Sequence, residues 1–577
     1  MATKVETKRI QLVGNPNLRA DQTTAGFVSI DMLFKNCMVM RDQNPAGGEG
    51  RLYLQRRPGL KSESPNVTSN HCTNFAFTNA GIMTADTDGD VYKATTYVGN
   101  ADNSADCQWI TSGYYDASLT NMALFLMRTG GVGYIYYHAD NVTLGTVTVT
   151  GDLSTGSPTI SNVAGTDWTT NVRVGALLSG TGIPAETRVK AIDTSANTIT
   201  MGSDSDTEVN ATATNTGVTV TYDHLCKVMD STIQSKNVRG IQFMDGYIFA
   251  LTTENLIYHS GYNDPQTWGS FDFIPAIRTH GSPSALLNIK GQLAVVKSGS
   301  IEFFQNVGNP TGSVLKRTDQ MYNIGGGTSG TAAGTGVFQH ENYVAMLTAE
   351  YGVRLWDTDK GSIEEITTPF IERYLSQLRY ASGTGPLEIR MFSWRGKPYI
   401  YVFNQQWNWT SAWAMVYDIK EKFWWQFQSD SFFPIPTSDP SDAQVYWMSY
   451  SGSTPSGSYY SWDTDDELLQ WADQSSTAID SSIRTSRTDF GTRQWKRFRR
   501  FSLIGDVEAS ASTFTLTWTD DDYNNYSNSR SLDLTSADPT TTELGALRRP
   551  AFNLSNDAAS APFRLEAIEV EYEVLGR

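Results

Sequence analysis

The densest cluster of potentially reactive side chains is basic. WKRFRRF (495–501) sets Trp495, Lys496, Arg497, Arg499 and Arg500 within seven residues, and LYLQRRPGLK (52–61) adds the pair Arg56 and Arg57. Guanidinium and ammonium groups in such a run either neutralise phosphates or pair with carboxylates. Strict strand alternation predicts Lys496, Phe498 and Arg500 on one face and Trp495, Arg497, Arg499 and Phe501 on the other. The surrounding chain is acidic, with 61 Asp and Glu against 44 Lys and Arg and a formal charge of −17. These residues are therefore expected to work in protein–protein contacts, through salt bridges to acidic neighbours. An acidic chain is not expected to hold nucleic acid by phosphate neutralisation, although a negative wall keeps a passing polymer from sticking.

The acidic runs carry less chemistry than they suggest. DTDGD (86–90) opens like a calcium loop, but Gly89 falls at position 4 where an EF-hand needs glycine at position 6. A hairpin turn is expected there. TDDDYNNYS (519–527) packs three carboxylates together, which paired across a sugar could serve a glycosidase, but a polar turn is the simpler reading. Five tryptophans in 407–427 could stack on sugars; alternating along strands, they are expected in the core or at a subunit interface. GGGTSGTAAGTG (325–336) opens a strand rather than a helix, so it lacks the setting of a phosphate-binding loop and is expected to be flexible. The chain has no GxSxG, P-loop, HExxH or CxxC, and its cysteines Cys37, Cys72, Cys107 and Cys226 are expected to be reduced and buried. No catalytic site, metal or cofactor is expected, and the protein is expected not to be an enzyme.

The elements that position these residues are strands. The 577 residues are 39% apolar and 12% aromatic, with 48 Gly spread throughout. A unit of apolar strand, short polar turn and second strand recurs, as in GYIFALTTENLIYHS (246–260), GQLAVVKSGSIEFFQ (291–305) and NYVAMLTAEYGVRLWDT (342–358). Unit starts lie about 45–55 residues apart, the spacing of a four-stranded blade. The predicted fold is all-β: a β-propeller-like body of six or seven blades over 61–140 and 223–480, with a sandwich array as the competing architecture. Residues 1–60 read as an extended arm with irregular strands. Residues 141–222 hold 20 Thr, with Trp168 and Tyr222 as their aromatics, and read as a small β-sandwich inserted into a blade loop. Residues 481–577 read as a C-terminal β module. The best helix candidate is 367–383, with Thr368 as N-cap and Pro369 at the first helical position. No run is long and apolar enough for a membrane span, and the first residues lack the apolar core of a secretory signal.

Four segments, in order, resemble one family. FVSIDMLFKN (27–36) with LYLQRRPGLK (52–61), KGQLAVVKSGSIEFFQNVGNP within 287–310, SIEEITTPFIERYLSQL (362–378) and RTDFGTRQWKRFRRFSLIG (487–505) are similar to segments of the packaged-DNA stabilisation proteins of short-tailed phages, also called tail nozzle or tail accessory factor proteins. The 141–222 insert and the longer C-terminus depart from that pattern. The resemblance implies a structural virion protein of the tail, assembled in the host cytoplasm as a homohexamer. Its implied partners are the adaptor or portal side of the head-to-tail connector, tail fibres or spikes, and packaged double-stranded DNA that passes through the lumen without sequence-specific binding. The nozzle closes the channel, retains the DNA and conducts it during ejection, and an electronegative lumen is expected. Two other readings stand beside it: a receptor-binding or glycan-degrading tail protein, which the aromatic content permits, and a monomeric propeller scaffold.

Overall fold

The computed structural model describes residues 5–12, 33–42, 50–64, 72–78, 81–86, 88–101, 107–114, 122–128, 133–138, 147–166, 168–327, 336–381, 387–404, 413–429, 433–438, 444–450, 459–462, 472–473, 477–509, 512–521, 523, 525–558 and 563–575. The recurring unit of the sequence is a hairpin whose geometry is set by its turn. At Asp245–Gly246, Lys290–Gly291 and Arg395–Gly396 both turn residues have positive φ (53° and 83°, 52° and 77°, 49° and 67°). These are two-residue turns of the twist that suits adjacent strands. They fix the registers Met244↔Tyr247, Ile289↔Gln292 and Trp394↔Lys397.

The second strands Tyr247–Thr252, Gln292–Lys297, Tyr343–Leu347 and Lys397–Asn404 are buried on both faces, which is why they read as nearly unbroken apolar runs. In Gln292–Lys297, Leu293 and Val295 pack with Phe249 and Leu251 of the preceding sheet. Ala294 and Val296 pack with Val344 and Met346 of the following one. Repeating this arrangement builds seven sheets. Their first strands, Cys72–Thr78, Cys107–Tyr114, Val238–Met244, Pro283–Ile289, Val337–His340, Leu387–Trp394 and Phe433–Ser438, each neighbour the next, and the last returns to the first. The body is a seven-bladed β-propeller. Its ring is closed from afar: the outermost strand of blade 7 is Leu60–Ser64, which pairs Trp462↔Leu60 and Ser461↔Lys61.

Two bodies are added. The inserted one leaves blade 2 after Gly133–His138. Its strands run Val147–Leu153, Thr159–Ala164, Thr198–Gly202, Thr187–Asp193 and Ala176–Ser179 in sheet order, and Asn215–Lys227 pairs with both the first and the last. The expected small sandwich thus takes the form of one sheet closed on itself, filled by Val149, Ile160, Val189, Ile199 and Val220. The end of Asn215–Lys227 crosses back into the propeller as the outermost strand of blade 2, with Tyr136↔Leu225.

The other body is a two-sheet sandwich. One sheet runs Cys37–Arg41, Leu52–Arg56, Arg564–Val574, Lys496–Gly505, Thr540–Leu547, with Val5–Gln11 also on Arg564–Val574. The second runs Leu33–Lys35, Ser481–Arg484, Ala551–Asn556, Thr513–Thr519, Ser527–Asp533, and continues blade 6 through the parallel bridge Lys35↔Gln426. The described strands before residue 60 are thus built into this module, where the sequence suggested an extended arm. One core, including Phe498, Phe501, Phe552, Trp425 and Trp447, runs from the sandwich into blades 6 and 7. Between blades 5 and 6 lies the helix Pro369–Ala381, capped by Thr368, whose Oγ1 accepts from Ile371 N–H at 3.4 Å. Phe370, Ile371, Leu375 and Leu378 bury its apolar face.

Candidate interaction site

The basic strand Lys496–Gly505 lies in the middle of the first sandwich sheet, between Arg564–Val574 and Thr540–Leu547. Its register slips between Phe498 and Arg500 in both pairings. This bulge corrects the strict alternation expected from sequence. It lets Phe498 and Phe501 both enter the core (1% and 0% exposed) and turns Arg500 outward. Arg499 pairs with Glu573, and Arg500 pairs with Asp538 and lies 3.9 Å from Glu571. The glutamates come from one face of Arg564–Val574, so the acidic partners are within the chain.

Lys496 lies on the other side of the picture from its neighbours. Its side chain is fully buried, and Nζ donates to the carbonyls of Thr492 (2.6 Å), Gln494 (2.9 Å) and Arg548 (3.0 Å). Burial pulls its ammonium below the usual lysine range. Lys496 therefore ties the chain before the basic strand to the end of Thr540–Leu547, and it is not available to a partner.

Arg56 and Arg57 are also internal, which removes them from the protein interface expected for them. Both are 0% exposed. Arg57 forms a two-pronged ion pair with Asp473 (2.8 and 2.6 Å), donates to Asn36 Oδ1 at 3.1 Å, and stacks over Phe427 at 4.5 Å. Arg56 bonds Ser481, Asn556 and Ala558 across the two sandwich sheets, and burial lowers it to about 10. A buried guanidinium with its donors filled is a cross-brace. The sequence showed two arginines before a proline; Asp473 and Asn36, which decide their fate, lie far away in the chain.

Of the seven residues singled out from sequence, Trp495 and Arg497 remain exposed without an intrachain carboxylate partner among the described residues. They lie beside three arginines that sequence reading passed over. Arg548 Nε donates to the Arg493 carbonyl at 2.7 Å, and the N–H groups of Arg548 and Arg549 both donate to the Asp520 carboxylate. Asp520, from the acidic run 519–527, thus holds the chain at 548–549 rather than a turn of its own run.

The other candidate motifs also resolve into architecture. Asp86 Oδ1 accepts from the N–H groups of Asp88 (3.0 Å) and Asp90 (2.9 Å), closing a hairpin turn. Trp424 and Trp425 are buried and offer no face to a sugar, while Trp407 and Trp409 lie outside the described residues. Gly325 and Gly326 pack so closely on Lys297 and Met346 that a Cβ would overlap them; 328–335 lie outside the described residues. Cys37 and Cys226 are buried free thiols, the latter pushed up to about 12 by burial; the side chains of Cys72 and Cys107 lie outside the described set. Among the described residues no cluster of three or more His, Cys, Asp or Glu is arranged to hold a metal ion, and no helix is long and apolar enough to cross a membrane.

One buried ion pair was not foreseen. Lys297 and Glu302, 0% and 1% exposed, meet at 2.6 Å across the KSGSIE turn of blade 4. Lys297 also donates to the Ala276 and Thr279 carbonyls (2.5 and 2.9 Å), and Glu302 accepts from Thr279 N–H at 3.1 Å. The pair pins the crossing from blade 3 to blade 4.

No protein-family model and no curated protein matches the chain. Similar solved structures include the C-terminal WD40 domain of Sif2, with 9% identity over 70% of this chain and 98% of that one and a TM-score of 0.32. BamB from Moraxella catarrhalis shows 9% identity over 70% and 99%, with a TM-score of 0.31. BBS1N in its complex with ARL6DN shows 10% identity over 71% and 99%, with a TM-score of 0.33. The propeller assignment stands on the closed ring of inner strands.

Proposed function

We propose that the protein is a structural subunit of a phage tail, six copies of which form the nozzle that closes the portal and adaptor channel, retains packaged DNA and conducts it during ejection. The observation that carries this reading is where the family-like segments fall. FVSIDMLFKN supplies Leu33–Lys35, LYLQRRPGLK supplies Leu52–Arg56, and RTDFGTRQWKRFRRFSLIG supplies Lys496–Gly505. Segments from opposite ends of the chain thus assemble into one sandwich, braced by Arg56 and joined to blade 6. The other two segments, within 287–310 and 362–378, fall in blade 4 and in blade 5 with the helix after it, so the resemblance spans the propeller and the sandwich joined to it. The propeller supplies a rigid wall, and a surplus of carboxylates facing a narrow lumen would let DNA slide, since charge acts over roughly 8 Å at physiological salt.

The test is the native mass and symmetry of the purified protein at increasing concentration, alone and with the connector protein of its phage. A six-fold ring supports the reading. A particle that stays at the 63.7 kDa of one chain under all of these conditions overturns it.

A further inference from the structure

We infer that the end of the C-terminal sandwich bearing Arg493, Trp495, Arg497, Arg548 and Arg549 is a docking surface for a second copy of this acidic chain, joined head to tail. The inference rests on the self-assembling reading above and names the surface that assembly uses.

Three observations carry it. The first is an exposed apolar anchor. Trp495 is 52% exposed, and its carbonyl accepts from the N–H of Leu575, itself 36% exposed, so two exposed large apolar residues are backbone neighbours at the rim of the sheet. The second is unspent charge. All four arginines are exposed, and among the described residues none of their guanidinium groups pairs with a carboxylate, in contrast to Arg499 and Arg500 a few residues on. The two carboxylates near Lys496 are turned onto backbone: Asp489 accepts from Gly491 N–H at 2.9 Å, and Asp520 from Arg548 and Arg549. The third is rigidity. The buried Lys496 ammonium binds three carbonyls of the segments that carry these side chains, so the surface is held in shape before a partner arrives. A tryptophan among arginines is the composition of an interface hot spot.

Charge chooses the occupant. The patch is positive on a chain of net −17, so the rest of another copy is its natural complement. The patch cannot face itself across a two-fold axis, because like charges would meet. The partner surface must therefore be a different one, and where the two lie on separate faces of the chain the contact is head to tail and closes into rings or runs on as filaments. A duplex DNA is the competing occupant, opposed by the charge of the whole chain.

The experiment is sedimentation velocity on the wild type, the double reversal R497E/R549E and Trp495→Ala, at about 0.05 M and about 0.5 M salt. The wild type should assemble, less so at high salt. The double reversal should lower the assembled fraction by about tenfold or more at equal concentration, with its thermal transition unchanged, and Trp495→Ala should also lower it. The reversed chain keeps whatever surface receives the patch, so in equimolar mixtures it should cap wild-type assemblies and shorten them. A monomeric wild type overturns both this inference and the ring. A wild-type ring that neither variant alters, or that mixing leaves intact, overturns the inference alone. Salt-dependent duplex DNA binding that the double reversal abolishes, with assembly untouched, assigns the patch to nucleic acid instead.

Discussion

The inserted barrel and the C-terminal sandwich are both appended to the propeller, and they are attached by different physics. The barrel has its own core, of Val149, Ile160, Val189, Ile199 and Val220. It reaches the propeller through the strand Asn215–Lys227 and polar links: Lys227 pairs with Asp204 at 2.7 Å, and Gln266 of blade 3 donates to the Val174 carbonyl at 3.1 Å. The sandwich shares one apolar core with blades 6 and 7, and Arg57 ties its Asn36 to Asp473 beyond blade 7. Polar links across a narrow neck leave two bodies free to unfold separately. A continuous core makes two bodies one cooperative unit.

The largest expected effect tests that unity. Arg57→Ala strands the buried Asp473 carboxylate and should cost about 3–5 kcal/mol. Calorimetry should show the propeller and sandwich still melting in one lowered transition. A sandwich transition split from an unshifted propeller transition would break the comparison.

A lesion far from the sandwich sharpens it. Glu302→Gln leaves Lys297 buried without its counter-charge, and should lower the same transition by about 3 kcal/mol. Burial pushes the Glu302 carboxyl up, but hydrogen bonds from Lys297 and Thr279 outweigh it and hold the group below its ordinary value. Its folded value lies under its unfolded one, so its contribution is fully present above roughly pH 4.3 and is lost as pH falls through the folded value. The wild type should therefore lose stability on acidification more steeply than Glu302→Gln. Parallel acid limbs for the two proteins would show that Glu302 titrates alike folded and unfolded.

Smaller effects belong to the insert. Gln266→Ala should cost about 1–2 kcal/mol, felt at the neck as faster hydrogen exchange of the Met229 amide, which Gln266 Oε1 accepts at 3.2 Å. Removing 141–222 over a short Gly/Ser linker should leave the main transition within about 1 kcal/mol, provided 223–227 stay to complete blade 2. Loss of that transition would make the barrel part of the propeller's foundation.

What could be read from the sequence was local. Turns such as Lys290–Gly291 and the apolar runs around them declare themselves within a dozen residues, and so did the Thr-rich insert and the capped helix. The closure of blade 7 did not, since Ser461 meets Glu63 across 398 residues of chain. The basic strand is evident from the sequence, but period two carries no sign of a bulge, so it puts Arg500 and Phe501 on each other's faces. Local sequence points Arg56 and Arg57 toward protein–protein contacts because arginine is rarely buried unpaired, and their intrachain partners are invisible from it. Arg548 and Arg549 escaped notice because only the pairing Lys496↔Leu547 brings them to Trp495.

The pairing of Val5–Gln11 with Arg564–Val574 also sets a timetable for synthesis. Arg9 and its partner Glu566 are 557 residues apart. At roughly 5–20 residues per second, the first strand waits about 30–110 s on the ribosome before its neighbour exists. Leu52–Arg56 waits almost as long for Arg564–Val574, and Leu60–Ser64 waits about 20–80 s for Tyr459–Trp462. Meanwhile blade 1 and blades 3 to 6, each a run of neighbouring hairpins, can pair as they emerge, and blade 2 follows once the insert has been made. The nascent chain therefore carries a folded middle between open strand edges, the state most prone to joining another nascent chain. Slower growth at low temperature, or a chaperone bound near the N-terminus, should raise the yield of correctly closed protein more than any substitution within the blades.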